Sequence, residues 1–270
     1  MDDGEAIGSF DPSYSLYRTL AAIRNVPYVP SPLAEDFSWA EPVVRGGGAP
    51  VALFLLTNPN APTSVAYPKA RIAAFAKSFP GVVLVDEAYA DFADANCVDL
   101  ATAADNANVV VMRTLSKSFS LAGLRLGYCI GPADLIDALY KVKDSYNVDA
   151  VAQDVALAAL HDLRWMKANV AKISATRERV AAELEKRGWQ MPRSQTNFIF
   201  ARPPAGASAE DVFARLRERN VFVRHFRGPR TGDRLRITIG DNADMDRLLD
   251  ELEELVPSTK PAAQQEQARE

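Results

Sequence analysis

The sequence is poor in the residues that build disulfide frameworks and histidine metal sites. Its 270 residues include only two cysteines, Cys97 and Cys129, and two histidines, His161 and His225. Two cysteines cannot form a disulfide framework and neither lies in a C-x-x-C pair, so we expect a cytoplasmic protein with reduced thiols. With so few histidines we expect no metal site.

Long apolar runs and a strong excess of one charge are also missing. No segment approaches the roughly 20 apolar residues that a membrane helix needs, and the start of the chain, MDDGEAIGSF, is too acidic for a signal or transit peptide. The formal net charge of -4 gives no support to a nucleic-acid or membrane surface. The composition is that of a globular protein, 48% hydrophobic and 24% charged, with room for a large domain and a small one.

Short β-branched segments alternate with longer helical patterns in the first part of the chain, which is typical of parallel βαβ units. Strands are predicted for VALFLLTN (51–58), GVVLVDEAY (81–89), NVVVMRTLS (108–116) and LGYCIG (126–131). The first three are continuous apolar runs, as expected for a sheet covered on both faces. Helices are predicted for 68–79, with Pro68 at the first position, for 132–144, and without a break from about 150 to 187, with Gly188 as C-cap.

After Gly188 the pattern becomes that of a small α+β unit. Strands are predicted for TNFIFARP (196–203), VFVRHF (221–226) and DRLRITIG (233–240), and helices for 207–220 and 242–256. Ser208 is the N-cap candidate of the first of these helices. We therefore predict a large domain over 1–165, a small one over 166–256 and a disordered tail over 257–270.

Polar side chains follow three of the predicted parallel strands, at the edge where open α/β sheets bind their ligands. They are Asn58 and Asn60, then Asp86 and Tyr89, then Thr114, Ser116 and Lys117. Each has a separate structural explanation: Asp86 is suited to cap a helix, Asn60 to form a proline turn and Lys117 to lie in solvent. Three such coincidences in one place would be needed to explain the whole set.

An acid, a phenol, an amine and hydroxyls at one edge fit pyridoxal phosphate. This cofactor needs a lysine for its Schiff base, a carboxylate to keep its ring nitrogen protonated, and donors for its phenolate and phosphate. Arg125, shortly after Lys117, offers a planar fork to a phosphate.

Several motifs, in this order, resemble the fold-type I aminotransferases and closely the histidinol-phosphate aminotransferase group. They are NPNAPT (58–63), VDEAY (85–89) and TLSKSFSLAGLRLGY (114–128), with DPSYSLY (11–17), YNVDAVAQ (146–153), TNFIF (196–200) and LRITIG (235–240). The resemblance implies a mostly parallel sheet with flanking helices and a small C-terminal α+β domain. It also implies pyridoxal 5'-phosphate as cofactor, and a homodimer with 146–153 near the partner subunit.

The resemblance further implies a role for each matching residue. Lys117 forms the Schiff base and moves a proton, Asp86 pairs with the ring nitrogen, and Tyr89 contacts the phenolate oxygen. An asparagine, Asn60 in preference to Asn58, shares that contact.

Five further residues are assigned by the same resemblance. Thr114, Ser116 and Arg125 hold the phosphate, and Tyr14 stacks on the ring. Arg236 faces the anionic or polar end of the substrate. The other arginines of the basic segment 223–236 are expected to be solvated surface side chains.

Two features depart from the family pattern. Ala61 precedes Pro62 and Ser64 takes the place of a glycine, so the choice between the two asparagines stays open. DPSYSLY begins at residue 11, whereas in the family it lies roughly a hundred residues into the chain, a domain-scale difference. A fragment or mis-assigned start codon is the first explanation, ahead of a degenerate relative or a protein completed by another chain.

The expected reaction is transamination between histidinol phosphate and 2-oxoglutarate. An aromatic amino acid aminotransferase and a phospho-amino-acid decarboxylase are the alternatives on the same scaffold, and an inactive fragment or a non-catalytic binding protein is the alternative of another class. A hydrolase or a nicotinamide enzyme is disfavoured, because the sequence contains neither G-x-S-x-G nor G-x-G-x-x-G after a strand.

Overall fold

The computed structural model describes residues 4–103 and 106–257. The chain divides into two compact units, Met1–Ala171 with Arg193–Asn197, and Lys172–Pro192 with Phe198–Glu270. The domain limits predicted from the sequence stay a prediction. The tail predicted to be disordered lies outside the described residues, apart from Pro257.

The first unit is built around one large sheet. Its strands and helices are β1 (Ala6–Asp11), α1 (Leu16–Arg24), β2 (Tyr28–Pro32), β3 (Arg45–Gly46), β4 (Ala49–Thr57), α2 (Lys69–Ser78), β5 (Val82–Asp86), α3 (Val98–Thr102), β6 (Val109–Thr114), β7 (Gly127–Ile130), α4 (Ala133–Val142) and α5 (Ala150–His161). The strand order is β2-β1-β4-β5-β6-β7, with β3 paired to β4. All neighbours in this order are parallel except β6 and β7, which are antiparallel.

The three predicted apolar strands occupy the middle of this sheet. Val83, Val85, Val109 and Val111 have no exposed surface, as expected where both faces are covered. The α/β fold class predicted from the sequence, a mostly parallel sheet with flanking helices, is confirmed.

The long helix predicted for 150–187 is interrupted. Helix α5 ends at His161, and α6 (Leu163–Lys186) begins after Asp162 and runs from the first unit into the second. The Asp162 carboxylate accepts a hydrogen bond from the Trp165 amide (3.1 Å), which satisfies a free N–H at the start of α6. Pro68 is the N-cap of α2 and not its first residue. No helix of the described residues is long and apolar enough to cross a membrane.

The second unit is a small antiparallel sheet with helices. It contains β8 (Phe198–Ala201), α7 (Ala209–Glu218), β9 (Arg224–His225), β10 (Leu235–Thr238) and α8 (Asn242–Leu255), with strand order β8-β10-β9. Leu184, Leu216 and Leu235 are completely buried in its core. Ser208 accepts from the Asp211 amide and so caps α7 as predicted. The predicted strand at 221–226 shortens to β9, because the Val221 amide donates to Leu216 and closes α7.

Candidate functional site

The predicted edge of polar residues forms where β4, β5 and β6 end side by side. Thr57 pairs in register with Asp86, and Asp86 with Met112. The ladder continues for one more hydrogen bond on each side, from the Asn58 amide to Asp86 and from the Glu87 amide to Met112, both 2.9 Å. The loops after β4 and β5 therefore start at the same level, and β6 continues for two more residues, to Thr114.

Asp86 is a buried carboxylate with two donors. It is 5% exposed, and its oxygens accept from the Tyr17 hydroxyl (2.8 Å) and the Ala88 amide (3.0 Å). Burial raises the pKa of Asp86, and these two hydrogen bonds and the nearby positive charge of Lys117 oppose the rise. The structure thus provides a carboxylate held in place beside an amine.

Tyr17 was not singled out from the sequence, although it is the side chain that holds Asp86. It is 3% exposed, and its hydroxyl also lies 2.8 Å from Thr57 Oγ1. Burial, followed by the charge of Asp86, raises the pKa of Tyr17 well above its ordinary value, so the phenol stays protonated and donates to the carboxylate. The only signal in the sequence is the i, i+3 spacing from Tyr14, whose ring meets that of Tyr17 edge to face at 5.6 Å.

Lys117 lies beside Tyr89 and within electrostatic reach of Asp86. Its Nζ is 5.4 Å from the centre of the Tyr89 ring, and its charge lowers the pKa of Asp86. Tyr89 is buried and Lys117 half-buried. The structure therefore brings Lys117, Asp86 and Tyr89 together in the first unit.

The three residues predicted to hold a phosphate differ in their surroundings. Thr114 Oγ1 lies 2.9 Å from Ser116 Oγ and accepts from the Ser116 amide at 3.1 Å, so these hydroxyls form one pair. Arg125 is exposed and has a left-handed backbone, φ 55°. One of its five N–H donors goes to the Ala122 carbonyl at 2.9 Å.

The Asn60 side chain forms hydrogen bonds with the segment after β1. It is completely buried, and its amide group donates to the Pro12 carbonyl (3.0 Å) and to Thr63 Oγ1 (2.9 Å). Its oxygen accepts from Ser13 at 2.8 Å. Both amide hydrogens of Asn60 therefore serve the protein's own structure.

The side-chain amide of Asn58 makes a weaker hydrogen bond than that of Asn60. Its oxygen accepts from the Tyr67 amide at 2.7 Å, and its nitrogen lies 3.9 Å from Cys97 Sγ, a weak acceptor. Burial raises the pKa of Cys97 to about 12, so the sulfur is a neutral thiol. Which asparagine contacts a cofactor stays a prediction.

Arg236 lies on β10 in the second unit. Its guanidinium is 5.1 Å from the centre of the Phe198 ring and 5.5 Å from that of Phe226, so two aromatic rings fix its direction. Its contact with a substrate stays a prediction. Across residues 4–103 and 106–257, no group of His, Cys, Asp or Glu side chains is placed to hold a metal ion.

Comparison with known proteins decides the family. The model of the family described as aminotransferase class I and II matches residues 1–252. The chain belongs to this family. The resemblance inferred from the motifs is thereby confirmed.

Curated members of the aminotransferase family align over most of the chain. The histidinol-phosphate aminotransferase of Geobacter sp. (strain M21) is 44% identical over 255 residues, which are 94% of this chain and 71% of that protein. Histidinol-phosphate aminotransferase 1 of Nostoc sp. (strain PCC 7120) is 40% identical over 247 residues, 92% of this chain and 69% of that protein.

Solved structures support the same fold. The histidinol-phosphate aminotransferase of Sinorhizobium meliloti, solved in complex with pyridoxal-5'-phosphate, has a TM-score of 0.84 at 26% identity, covering 96% of this chain and 72% of that one. L-threonine-O-3-phosphate decarboxylase from Porphyromonas gingivalis has a TM-score of 0.78 at 20% identity, covering 93% and 77%. The second likeness shows the fold alone.

The residues present in this aminotransferase chain fit pyridoxal phosphate by the chemistry of their donors. A buried carboxylate at Asp86 suits a protonated ring nitrogen, and the hydroxyl pair Thr114 and Ser116 suits a phosphate. The amine of Lys117 lies on the same edge as both. Asn60 fits less well, because its amide hydrogens are already donated.

Proposed function

We propose that the protein is a pyridoxal-phosphate-dependent aminotransferase that moves an amino group from histidinol phosphate to 2-oxoglutarate. The observation that carries the proposal is the placement of the Lys117 amine beside Tyr89 and Asp86. It is supported by the 44% identity to a histidinol-phosphate aminotransferase.

Bound pyridoxal phosphate supplies a conjugated ring that withdraws electrons from the α-carbon of the substrate. Asp86 would hold the proton on the ring nitrogen, because its carboxylate is fixed by Tyr17 and Ala88. Tyr89 would donate to the phenolate oxygen. Lys117 Nζ would hold the cofactor covalently and then move the proton at the substrate's α-carbon.

The remaining proposed contacts orient the cofactor. Thr114, Ser116 and Arg125 would donate to the phosphate, and Tyr14, which is 48% exposed, would cover one face of the ring. Asn58 or Asn60 would share the phenolate oxygen, with Asn58 favoured by its weaker present contact.

For the substrate we assign Arg236, because an arginine packed near two aromatic rings presents a directed fork to an anion. The phosphate of histidinol phosphate and the carboxylates of 2-oxoglutarate are both anions of this kind. Of the other arginines of 223–236, Arg224 and Arg227 are exposed, as expected for surface side chains. The expectation is wrong for Arg234, whose side chain is only 12% exposed and lies 3.7 Å from Asp233.

We also propose a cytoplasmic homodimer. Large apolar side chains are exposed on and between α4 and α5, and these are Tyr140, Val142, Tyr146, Val151 and Leu157. Exposed apolar side chains concentrated in one part of the fold support association, since large exposed apolar patches mark protein–protein contact sites. Sedimentation equilibrium of the purified chain tests this, and a monomer at all concentrations contradicts it.

The test of the proposed function uses a matched pair of lysine variants. Titration with pyridoxal phosphate should give an absorbance band, and borohydride should fix the cofactor to the peptide containing Lys117. Lys117→Ala should lose both the adduct and transamination, whereas Lys77→Ala, a substitution on α2, should keep both.

Amino donors then separate the alternatives. Histidinol phosphate should be consumed in preference to aromatic amino acids, with 2-oxoglutarate converted to glutamate. A preference for aromatic amino acids, or release of carbon dioxide from an O-phospho amino acid, replaces the substrate assignment. A wild-type chain without any lysine adduct refutes the enzymatic proposal and favours a non-catalytic protein.

A further inference from the structure

Beside Asp86, a second charged cluster joins two segments of the site. It consists of Glu87, Asp91, Arg113 and Ser118, and we call it the Arg113 clamp. The Arg113 guanidinium places Nε and Nη2 on one Glu87 oxygen, at 2.8 and 2.7 Å, and Nη1 on Asp91 at 3.1 Å. The other Asp91 oxygen accepts from the Ser118 hydroxyl.

The clamp is largely removed from water. The side chain of Glu87 is 0% exposed, that of Arg113 14% and that of Asp91 26%, and Ser118 is 3% exposed. Burial raises the pKa of Glu87, and the charge of Arg113 opposes that rise. Ion pairs in such surroundings add little net stability, because desolvation offsets the attraction, so stability alone does not account for the arrangement.

The Arg113 clamp links the segment after β5 to the segment after β6. Glu87 and Asp91 lie in the segment after β5, which contains Tyr89 and directly follows Asp86, the last residue of that strand. Ser118 lies in the segment after β6, directly after Lys117. A single Asp91 carboxylate therefore bonds one segment to the other.

The loop around Lys117 is anchored by two apolar side chains, Leu115 and Phe119, which are buried in a cluster with Ala156 and Met166. Its backbone turns through hydrogen bonds from Ser120 to Lys117 and from Leu121 to Leu115, both 3.1 Å. These bonds fold the loop on itself. The Ser118 hydroxyl adds a polar bond to the segment that follows Asp86, because it donates to a carboxylate whose other oxygen is held by Arg113.

We propose that Asp91 is a positioning residue for Lys117, acting through the Ser118 hydroxyl and oriented by Arg113. Its effect is to keep the Lys117 amine beside Tyr89. The inference rests on the proposed function, in which Lys117 holds the cofactor. Neither Asp91 nor Ser118 touches the cofactor in this proposal.

The test combines Ser118→Ala, Asp91→Asn and the double variant, with Asp99→Asn as the matched control. Asp99 is also a carboxylate in an ion pair of the first unit, 2.6 Å from Lys69. Two quantities are measured in each protein: the dissociation constant of pyridoxal phosphate, from absorbance, and hydrogen exchange of residues 115–121 without cofactor.

Ser118→Ala should weaken cofactor binding about tenfold, the equivalent of one hydrogen bond to a charged group. Asp91→Asn should weaken it less, because a neutral acceptor makes a weaker bond, and should add little to Ser118→Ala in the double variant. Exchange should quicken within 115–121 and not elsewhere, and Asp99→Asn should match the wild type.

Unchanged binding in Ser118→Ala, additive effects in the double variant, or faster exchange throughout the first unit each overturn the inference. Failure of the proposed function is a different result, namely a wild-type chain without a Lys117 adduct. In that case the exchange arm still decides whether Asp91 orders the lysine loop.

Discussion

Replacing Tyr17 by phenylalanine tests whether a phenol keeps Asp86 ionised. The change removes one hydroxyl and leaves the ring, so packing is preserved while Asp86 Oδ2 loses a donor at 2.8 Å. A buried hydrogen bond to a charged group contributes about 1.5–3 kcal/mol. We expect the free energy of unfolding to fall by about that amount at pH 8.

The free energy of unfolding that Tyr17→Phe removes should depend on pH. Burial raises the pKa of Asp86 in the folded protein, so the stability linked to this carboxyl is present below its unfolded pKa and lost as pH rises through the folded pKa. The Tyr17 bond limits that loss by favouring the ionised form. Tyr17→Phe should therefore cost least in acid, where the carboxyl is protonated in both states, and most above the folded pKa.

Tyr28→Phe is the matched control. The Tyr28 hydroxyl bonds to Ser9 at 2.5 Å, and this neutral partner has no charge to stabilise. Its removal should cost about 1 kcal/mol with little dependence on pH. Urea denaturation of the three proteins between pH 4 and pH 8 measures both values. A Tyr17→Phe cost that is constant with pH, or no larger than that of Tyr28→Phe, refutes the reasoning.

Three further predictions concern other parts of the first unit. Ser64 is completely buried with φ 66°, and its hydroxyl finds no partner among the described residues. Ser64→Gly should therefore raise the free energy of unfolding by about 1 kcal/mol. A lower free energy of unfolding, measured by urea denaturation, contradicts this. Iodoacetamide at pH 8 should label the exposed Cys129 and spare Cys97, which is buried with a pKa of about 12. Mass spectrometry should find label on Cys129 alone in the native protein and on both cysteines in the unfolded protein. A Cβ at Gly81 would overlap the Ala52 carbonyl, so Gly81→Ala should cost about 2 kcal/mol or more, and a neutral result in thermal denaturation would show that the strand can shift.

The central strands and the site edge could be predicted from the sequence because they are local patterns. Apolar runs such as 82–85 and 109–112 are followed directly by polar residues, and parallel strands bring such ends together. The front strands were not predicted. In β1, Gly8 interrupts the apolar run because it packs closely against Phe54 and Val51. In β2, Pro30 and Pro32 are tolerated only because the strand lies at the edge of the sheet.

Contacts between distant residues were beyond the sequence. Tyr17 and Asp86 are 69 positions apart, and nothing in either neighbourhood indicates that one donates to the other. The break at Asp162 was missed for a different reason: neither proline nor glycine marks it, and the aspartate both ends one helical pattern and caps the next.

The strand ladder around Asp86 also bears on how such a chain could be redesigned. Asp86 sits on the middle strand of the three, and ladder bonds to both neighbours extend past it. Moving its carboxylate would require shifting two other strands, so this position is not adjustable. Substitutions intended to change the amino donor are therefore better placed in the connecting loops, beyond Asn58 and Glu87, whose amides still belong to the ladder.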